Sequence, residues 1–316
     1  DYREMVTHVD AVVIATPNIA HFEIGKFFLN NGIHALIEKP MTTKLQEAEE
    51  LVELAENNNL VLSVGFVTRF FPSTNMMKSL LNDFFFGRIK KVSYEFGSAG
   101  GWAPISGYNL DLKKTGGGVL VVSGTHFIDR MMYWFGVPEI VRCSSDSYGG
   151  PEGNFTAQFV CTYNERPVIV DFRVSKTHRL KNRFTLEGEE YTATLPEGQS
   201  EWIKVDRAHG KDIFEQRLYP RDHKAGIVPH HYFALQLEDF EKCIREGTTP
   251  LVDGRDGLES VRLVEKLYDR AERMSEPWGW NSVKPPLGRN SKKGSDKILV
   301  TGASGFVGSS LIELLS

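Results

Sequence analysis

A chain of 316 residues is long enough to bury two full cores. Its formal charge of −4 and isoelectric point near 6.2 argue against nucleic acid and anionic membranes as main partners, and no apolar run approaches the roughly 20 residues that a membrane span needs. The three cysteines, Cys143, Cys161 and Cys243, are isolated and lack metal or redox spacing, so no metal is expected and the simplest reading is reduced thiols in a cytoplasmic protein.

In chain order, Val9–Ala15 reads as a buried strand without polar alternation. Thr16 is placed to cap the following helix, with Pro17 as its first residue and Asn31-Gly32 as its stop. Ile33–Ile37 is a second buried strand that ends abruptly in Glu38-Lys39-Pro40. The carboxyl edge of such a strand is where an open α/β sheet binds ligands. Pro40 biases Lys39 away from helical geometry, so the lysine stands on a stiff turn whose Lys-Pro bond is open to either isomer. Thr43 and Gln46 have capping-box spacing ahead of a helix through Leu45, Ala48, Leu51, Val52 and Ala55, and Leu60–Gly65 is a third strand.

This alternation implies a parallel sheet with right-handed crossovers, half of a doubly wound (Rossmann) nucleotide-binding fold. The Gly-rich first turn of that fold belongs to an earlier βαβ unit. Residues 1–66 therefore read as the C-terminal half of a dinucleotide-binding domain, and both chain ends as cut. On that reading the isolated chain binds dinucleotide poorly and exposes a sheet edge.

Beyond Gly65 the pattern changes. A helix is expected around Met76–Leu81 and a strand over Ile89–Phe96. Gly116-Gly117-Gly118 precedes an apolar helix over Val119–Phe135 that carries His126, Asp129 and Arg130. From Glu139 to about Asp206, β-branched and aromatic residues alternate with polar ones, which predicts a large, mostly antiparallel sheet. Helices over His230–Gly247 and Gly257–Met274 follow, so residues 67–275 read as an α+β domain for substrate binding and oligomerisation. Residues 276–295 are a polar, Gly- and Pro-containing linker. At the end, Lys297–Val300 is a short strand, and T-G-A-S-G-F-V-G (Thr301–Gly308) turns into a helix with Gly302, Gly305 and Gly308 as a phosphate-binding turn.

Four stretches in order resemble the glucose–fructose oxidoreductase, inositol dehydrogenase and rhizopine-catabolism (Gfo/Idh/MocA) family. They are A-T-P-N-I-A-H at Ala15–His21, E-K-P at Glu38–Pro40, V-G-F-V-T-R-F-F-P at Val64–Pro72 and G-G-G-V-L-V-V-S-G-T-H-F-I-D at Gly116–Asp129, and the segment from Phe240 to Ala271 fits as well. The resemblance implies an oxidoreductase that uses NAD or NADP to oxidise a sugar or polyol hydroxyl. It places Lys39 beside the substrate hydroxyl, orienting it and lowering its pKa, and gives His126 the hydroxyl proton. It puts Ala15, Thr16, Pro17, Asn18, His21, Glu38, Lys39 and Pro40 along the cofactor. It also implies a homo-oligomer, dimer or tetramer, formed through the open sheet face.

One position departs from the family pattern. Many members carry an aspartate one helical turn before the histidine; here that residue is Val122. Either His126 works with Lys39 alone, or the site is altered and the module senses sugar or dimerises without catalysis. Asp129 points off that face and is expected to be structural, His21 is equally readable as a satisfied helix residue, and His178, His209, His223, His230 and His231 read as surface or packing residues. Arg69 is open to pairing with phosphate or carboxylate, and Trp102, Tyr108, Tyr163 and Arg173 are unplaced candidates for a sugar pocket. The C-terminal T-G-A-S-G-F-V-G resembles extended short-chain dehydrogenases, the NAD-dependent epimerases and dehydratases. A fusion of the two would favour a nucleotide-linked sugar as substrate, with a free sugar or inositol as the alternative.

Overall fold

The computed structural model describes residues 1–100, 107–208, 213–218 and 231–274. The linker at 276–295, the turn with Gly302, Gly305 and Gly308, and Trp102, His209, His223 and His230 lie outside the described residues.

Strands β1 (Ala11–Ile14), β2 (His34–Ile37) and β3 (Leu62–Val64) form a parallel sheet in that order, with helices α1 (Asn18–Asn30) and α2 (Leu45–Asn57) crossing between them. Ala35, Ile37 and Val64 are fully buried, as are Leu29, Ala48 and Leu51 of the helices, which accounts for the missing polar alternation. Two cap expectations are corrected. Helix α1 starts at Asn18 with Pro17 in the cap position and no side-chain cap bond, because the carbonyl of Thr16 is held by His21 and the turn closes on the Pro17 carbonyl instead. The Thr43–Gln46 box does not form either; extended Lys44 is the cap residue of α2, and the Thr42 hydroxyl donates to the Lys44 carbonyl.

The rest of the chain builds on a nine-stranded mixed sheet. After α3 (Pro72–Asn82) come β4 (Ile89–Gly97), the short α4 (Leu112–Thr115) and α5 (Thr125–Phe135). Then follow β5 (Glu139–Ser145), β6 (Asn154–Tyr163), β7 (Arg166–Ser175), β8 (Arg183–Gly188), β9 (Tyr191–Pro196), β10 (Trp202–Arg207) and β11 (Ile213–Arg217). Helices α6 (His231–Glu246) and α7 (Gly254–Arg270) lead to β12 (Glu272–Arg273). The strand order is β11-β10-β9-β8-β4-β7-β6-β5-β12, antiparallel except for the β4–β7 and β5–β12 pairs. The strand expected at Ile89–Phe96 is thus the centre of the sheet rather than a prelude to it.

One face of this sheet is covered. Phe127, Ile128 and Met131 of α5 pack on Val92, Tyr94, Phe155, Phe172 and Phe184, with the Tyr94 and Phe127 rings stacked 4.2 Å apart. The other face carries Glu95 paired with Arg173, Lys91 paired with Asp171, and exposed Ile169.

The single helix predicted over Val119–Phe135 is corrected: Leu120–Gly124 wind as a wide π turn, closed by the Thr125 N–H on the Leu120 carbonyl, before regular α5 begins. Helix α7 starts earlier than predicted, at a capping box in which Asp253 and Asp256 exchange side-chain and backbone bonds, and stops earlier, where Glu272 joins the sheet edge. The α7 segment then returns to the first sheet. The Ser63 hydroxyl and the Val64 N–H both donate to the Val252 carbonyl, at 3.0 and 3.2 Å, and Val252 and Val261 share the core of β1–β3.

Candidate active site

The carboxyl ends of β1, β2 and β3 lie side by side at one edge of the parallel sheet. At the end of β2 the side chain of Glu38 lies over Gly65, where an added Cβ would sit 2.8 Å from the Glu38 carboxyl carbon, so the glycine after β3 is what lets that side chain cross. The Lys39 N–H donates to Glu38 Oε2 at 3.2 Å, and the Lys39–Pro40 bond is cis.

Lys39 reaches across to the second domain. Its Nζ donates to the carbonyl of Val122 at 2.8 Å, inside the π turn and four residues before His126. The position where the family pattern carries an aspartate therefore still offers Lys39 an acceptor, from the main chain and without charge. Burial pushes the Lys39 ammonium down to about 8; Glu38 opposes the shift and Lys176 adds to it.

His126 is partly buried, its Nδ1 is buried without a hydrogen-bond partner, and Phe66 meets the ring edge-on at 6.5 Å. Burial first, then the charges of Lys39 and Arg130, hold the imidazole well below its ordinary pKa, so the ring is neutral and able to accept a proton.

The neighbours of His126 on α5 fix the helix. Asp129 is fully buried and accepts from Arg69 Nε and Nη2 at 2.8–3.1 Å, while Arg69 also donates to Asp256 at 2.9 Å, so the open question over Arg69 resolves to carboxylates. Burial pushes the Asp129 carboxyl up to about 6 despite that pairing. Arg130, also buried, pairs with Glu197 after β9.

The expected cofactor residues divide. Ala15, Thr16 and Pro17 stand exposed at the end of β1, beside partly buried Glu38, Lys39 and Pro40, and this open strand edge next to a lysine fits the nicotinamide end of a dinucleotide. His21 does not: it is fully buried with each ring nitrogen 2.9 Å from a carbonyl, Nδ1 from Pro40 and Nε2 from Thr16, which leaves neither for a ligand. It ties the loop after β1 to the loop after β2. The Asn18 N–H donates to the Tyr108 hydroxyl and its Nδ2 to the Thr115 carbonyl, both at 2.9 Å, so those donors are committed to the segment that enters the glycine run.

Tyr163 and Arg173 lie elsewhere. The Tyr163 hydroxyl donates to the Leu81 carbonyl, and Arg173 is on the open sheet face. His178 bonds to Thr177 and Asn154 near the end of β7. Sequence reasoning missed Glu152 and Tyr268, which grip the start of the His126 helix, because neither carries a motif.

The profile of the oxidoreductase family with the NAD-binding Rossmann fold (GFO_IDH_MocA) matches residues 1–66, and that of the family's C-terminal alpha/beta domain matches residues 78–276. The chain belongs to the Gfo/Idh/MocA oxidoreductase family. Thr301–Gly308 lie beyond both matched regions. Among Gfo/Idh/MocA relatives, scyllo-inositol 2-dehydrogenase (NADP(+)) IolU of Bacillus subtilis is 32% identical over 284 residues, covering 87% of this chain and 81% of that protein. UDP-N-acetylglucosamine 3-dehydrogenase of Acidithiobacillus ferrooxidans is 36% identical over 74 residues, covering 23% of this chain and only 24% of its own length. Among solved structures, levoglucosan dehydrogenase in complex with NADH and L-sorbose has a TM-score of 0.76 at 20% identity, covering 86% of this chain and 80% of that one, a likeness of fold.

Proposed function

We propose that this protein oxidises a ring hydroxyl of a sugar or cyclic polyol, or reduces the matching ketone, with NAD or NADP as partner. The observation that carries the reading is the Lys39 ammonium 2.8 Å from the Val122 carbonyl, its charge acting on a neutral His126, at the sheet edge where Ala15–Pro17 stand exposed. Lys39 donates to the substrate oxygen and stabilises charge developing on it. His126 accepts the hydroxyl proton through Nε2, since Nδ1 is sealed. The nicotinamide, when bound, supplies the hydride acceptor. Ala15, Thr16, Pro17, Glu38 and Lys39 are the residues that would hold it.

Two substrate classes compete. The long alignment with an inositol dehydrogenase favours a free polyol or sugar. The shorter, slightly closer alignment with a UDP-N-acetylglucosamine dehydrogenase favours a nucleotide-linked sugar, the class that an epimerase-like C-terminal turn would also suit. The test is nicotinamide absorbance with NAD and NADP against scyllo-inositol, D-xylose, levoglucosan and UDP-N-acetylglucosamine. Turnover with one class assigns the substrate. A folded protein silent on the whole panel, with nucleotide shown to bind, would overturn the reading in favour of a non-catalytic sugar-sensing or dimerisation module.

A further inference from the structure

Three successive N–H groups open the helical stretch that carries His126, and one residue takes all of them. Gly118 N–H donates to Glu152 Oε2 and Leu120 N–H to Oε1, each at 2.9 Å; Val119 N–H, between them, donates to the main-chain carbonyl of Glu152 at 2.9 Å. The Tyr268 hydroxyl, from the last turn of α7, donates to Oε1 at 2.9 Å and accepts from Gly118 at 3.2 Å. Glu152 is 1% exposed, so a buried carboxyl is satisfied by helix-start donors and one phenol. The glycine run exists to admit this grip: a Cβ on Gly117 would lie 2.1 Å from the Tyr268 hydroxyl, and one on Gly118 2.2 Å from the Glu152 carbonyl oxygen.

The grip lies directly against the site. The π turn begins at Leu120, and its wide winding is where the Val122 carbonyl meets Lys39. A loosened helix start would let this turn, and the Val122 carbonyl within it, shift relative to Lys39.

We propose that Glu152, together with Tyr268, is a positioning residue that pins the glycine end of the site helix and so holds the Val122 carbonyl on Lys39. Its catalytic consequence rests on the roles proposed above for Lys39 and His126; its structural content does not, and the test is chosen accordingly.

That test is competitive acetylation of Lys39 by acetic anhydride across pH 6–10, read by mass spectrometry on the full chain with no substrate or nucleotide. The charged and titratable groups around Lys39 that also bear on its midpoint are Glu38, Lys176 and His126, and none is altered. Wild type, Glu152→Gln, Tyr268→Phe and a remote core control, Val168→Ala, are compared. The expected result is a Lys39 midpoint displaced by about half a pH unit or more and a labelling rate raised severalfold in Glu152→Gln, the same to a smaller extent in Tyr268→Phe, and neither in Val168→Ala. If Glu152→Gln does not fold, Tyr268→Phe alone decides. A Lys39 midpoint and rate equal to wild type in the folded clamp variants would overturn the proposal, as would the same displacement in the control. Because labelling needs no turnover, a silent substrate panel would leave this result standing and count only against the proposed reaction.

Discussion

An ammonium pushed down to about 8 by burial is charged at neutral pH and loses its proton just above it. If Lys39 acts as the cation that orients the substrate oxygen, kcat/KM falls as pH rises through 8. Lys39→Arg, charged throughout, removes that limb at lower overall activity; a profile that climbs through 8 instead would make neutral Lys39 the base. His126, already neutral, adds no limb near its ordinary value. Lys39→Ala and His126→Asn are each expected to lower kcat by about 10²–10⁴; the affinity for reduced nucleotide, followed by fluorescence, stays nearly unchanged in His126→Asn and falls in Lys39→Ala, which also loses a cofactor contact. Glu152 adds a pH dependence of stability. Its carboxyl is pushed up to about 7 in the fold, mainly by burial, from an ordinary 4.5. The folded state thus binds the proton more tightly than the unfolded chain, so this contribution is complete below pH 4.5 and lost as pH rises through 7. It is worth about 3 kcal/mol between those limits. Urea midpoints at pH 5 and 8 should differ less in Glu152→Gln than in wild type.

At the level of elements, the site is a junction of loops held by small residues and buried pairs. Gly65→Ala places a methyl group 2.8 Å from the Glu38 carboxylate and 3.0 Å from its Cα, which should cost about 1–3 kcal/mol in thermal denaturation and weaken nucleotide binding together with it. Arg69→Met leaves Asp129 buried and unpaired, a loss of about 3–5 kcal/mol at pH 8. Because Arg69 is what draws the Asp129 carboxyl down to about 6 against burial, its removal lets that carboxyl rise further, so the loss should shrink as the pH falls from 8 toward 6 and Asp129 takes up its proton. Much of this junction could be read from sequence: strands buried on both faces announce themselves as apolar runs, and E-K-P and the glycine–histidine segment located Lys39 and His126. The rest is non-local. Glu152 lies 34 residues from the Gly118 it holds, and Tyr268 lies 150 residues away. The α7 capping box escaped notice because Asp256 stands where glutamate is the usual signal. The π turn has no signature in Leu120–Gly124, since it is set by what grips the helix start. The cap expected at Thr16 failed because a histidine five residues on, His21, competes for its carbonyl.

For the whole molecule, the face of the nine-stranded sheet that the described residues leave uncovered is the surface through which the expected homo-oligomer would form. Its ion pairs and the exposed Ile169 leave a broad, mixed surface suited to a second copy of the chain. A homodimer through this face predicts that Ile169→Asp with Asp171→Arg lowers the mass seen by light scattering to that of a monomer while nucleotide binding persists. The return of the α7 segment to the first sheet has a consequence in time. Ser63 and the Val252 carbonyl it bonds are 189 residues apart, and translation adds about 5–20 residues each second. On the ribosome, the underside of β3 and α2 therefore waits about 10–40 s for its cover, with Leu62, Val64 and Met41 bare to water throughout. A segment made well before its cover is sealed late, so slowing translation between Ser63 and Val252 should raise the share of chains that chaperones capture or that aggregate, at unchanged stability of the finished protein.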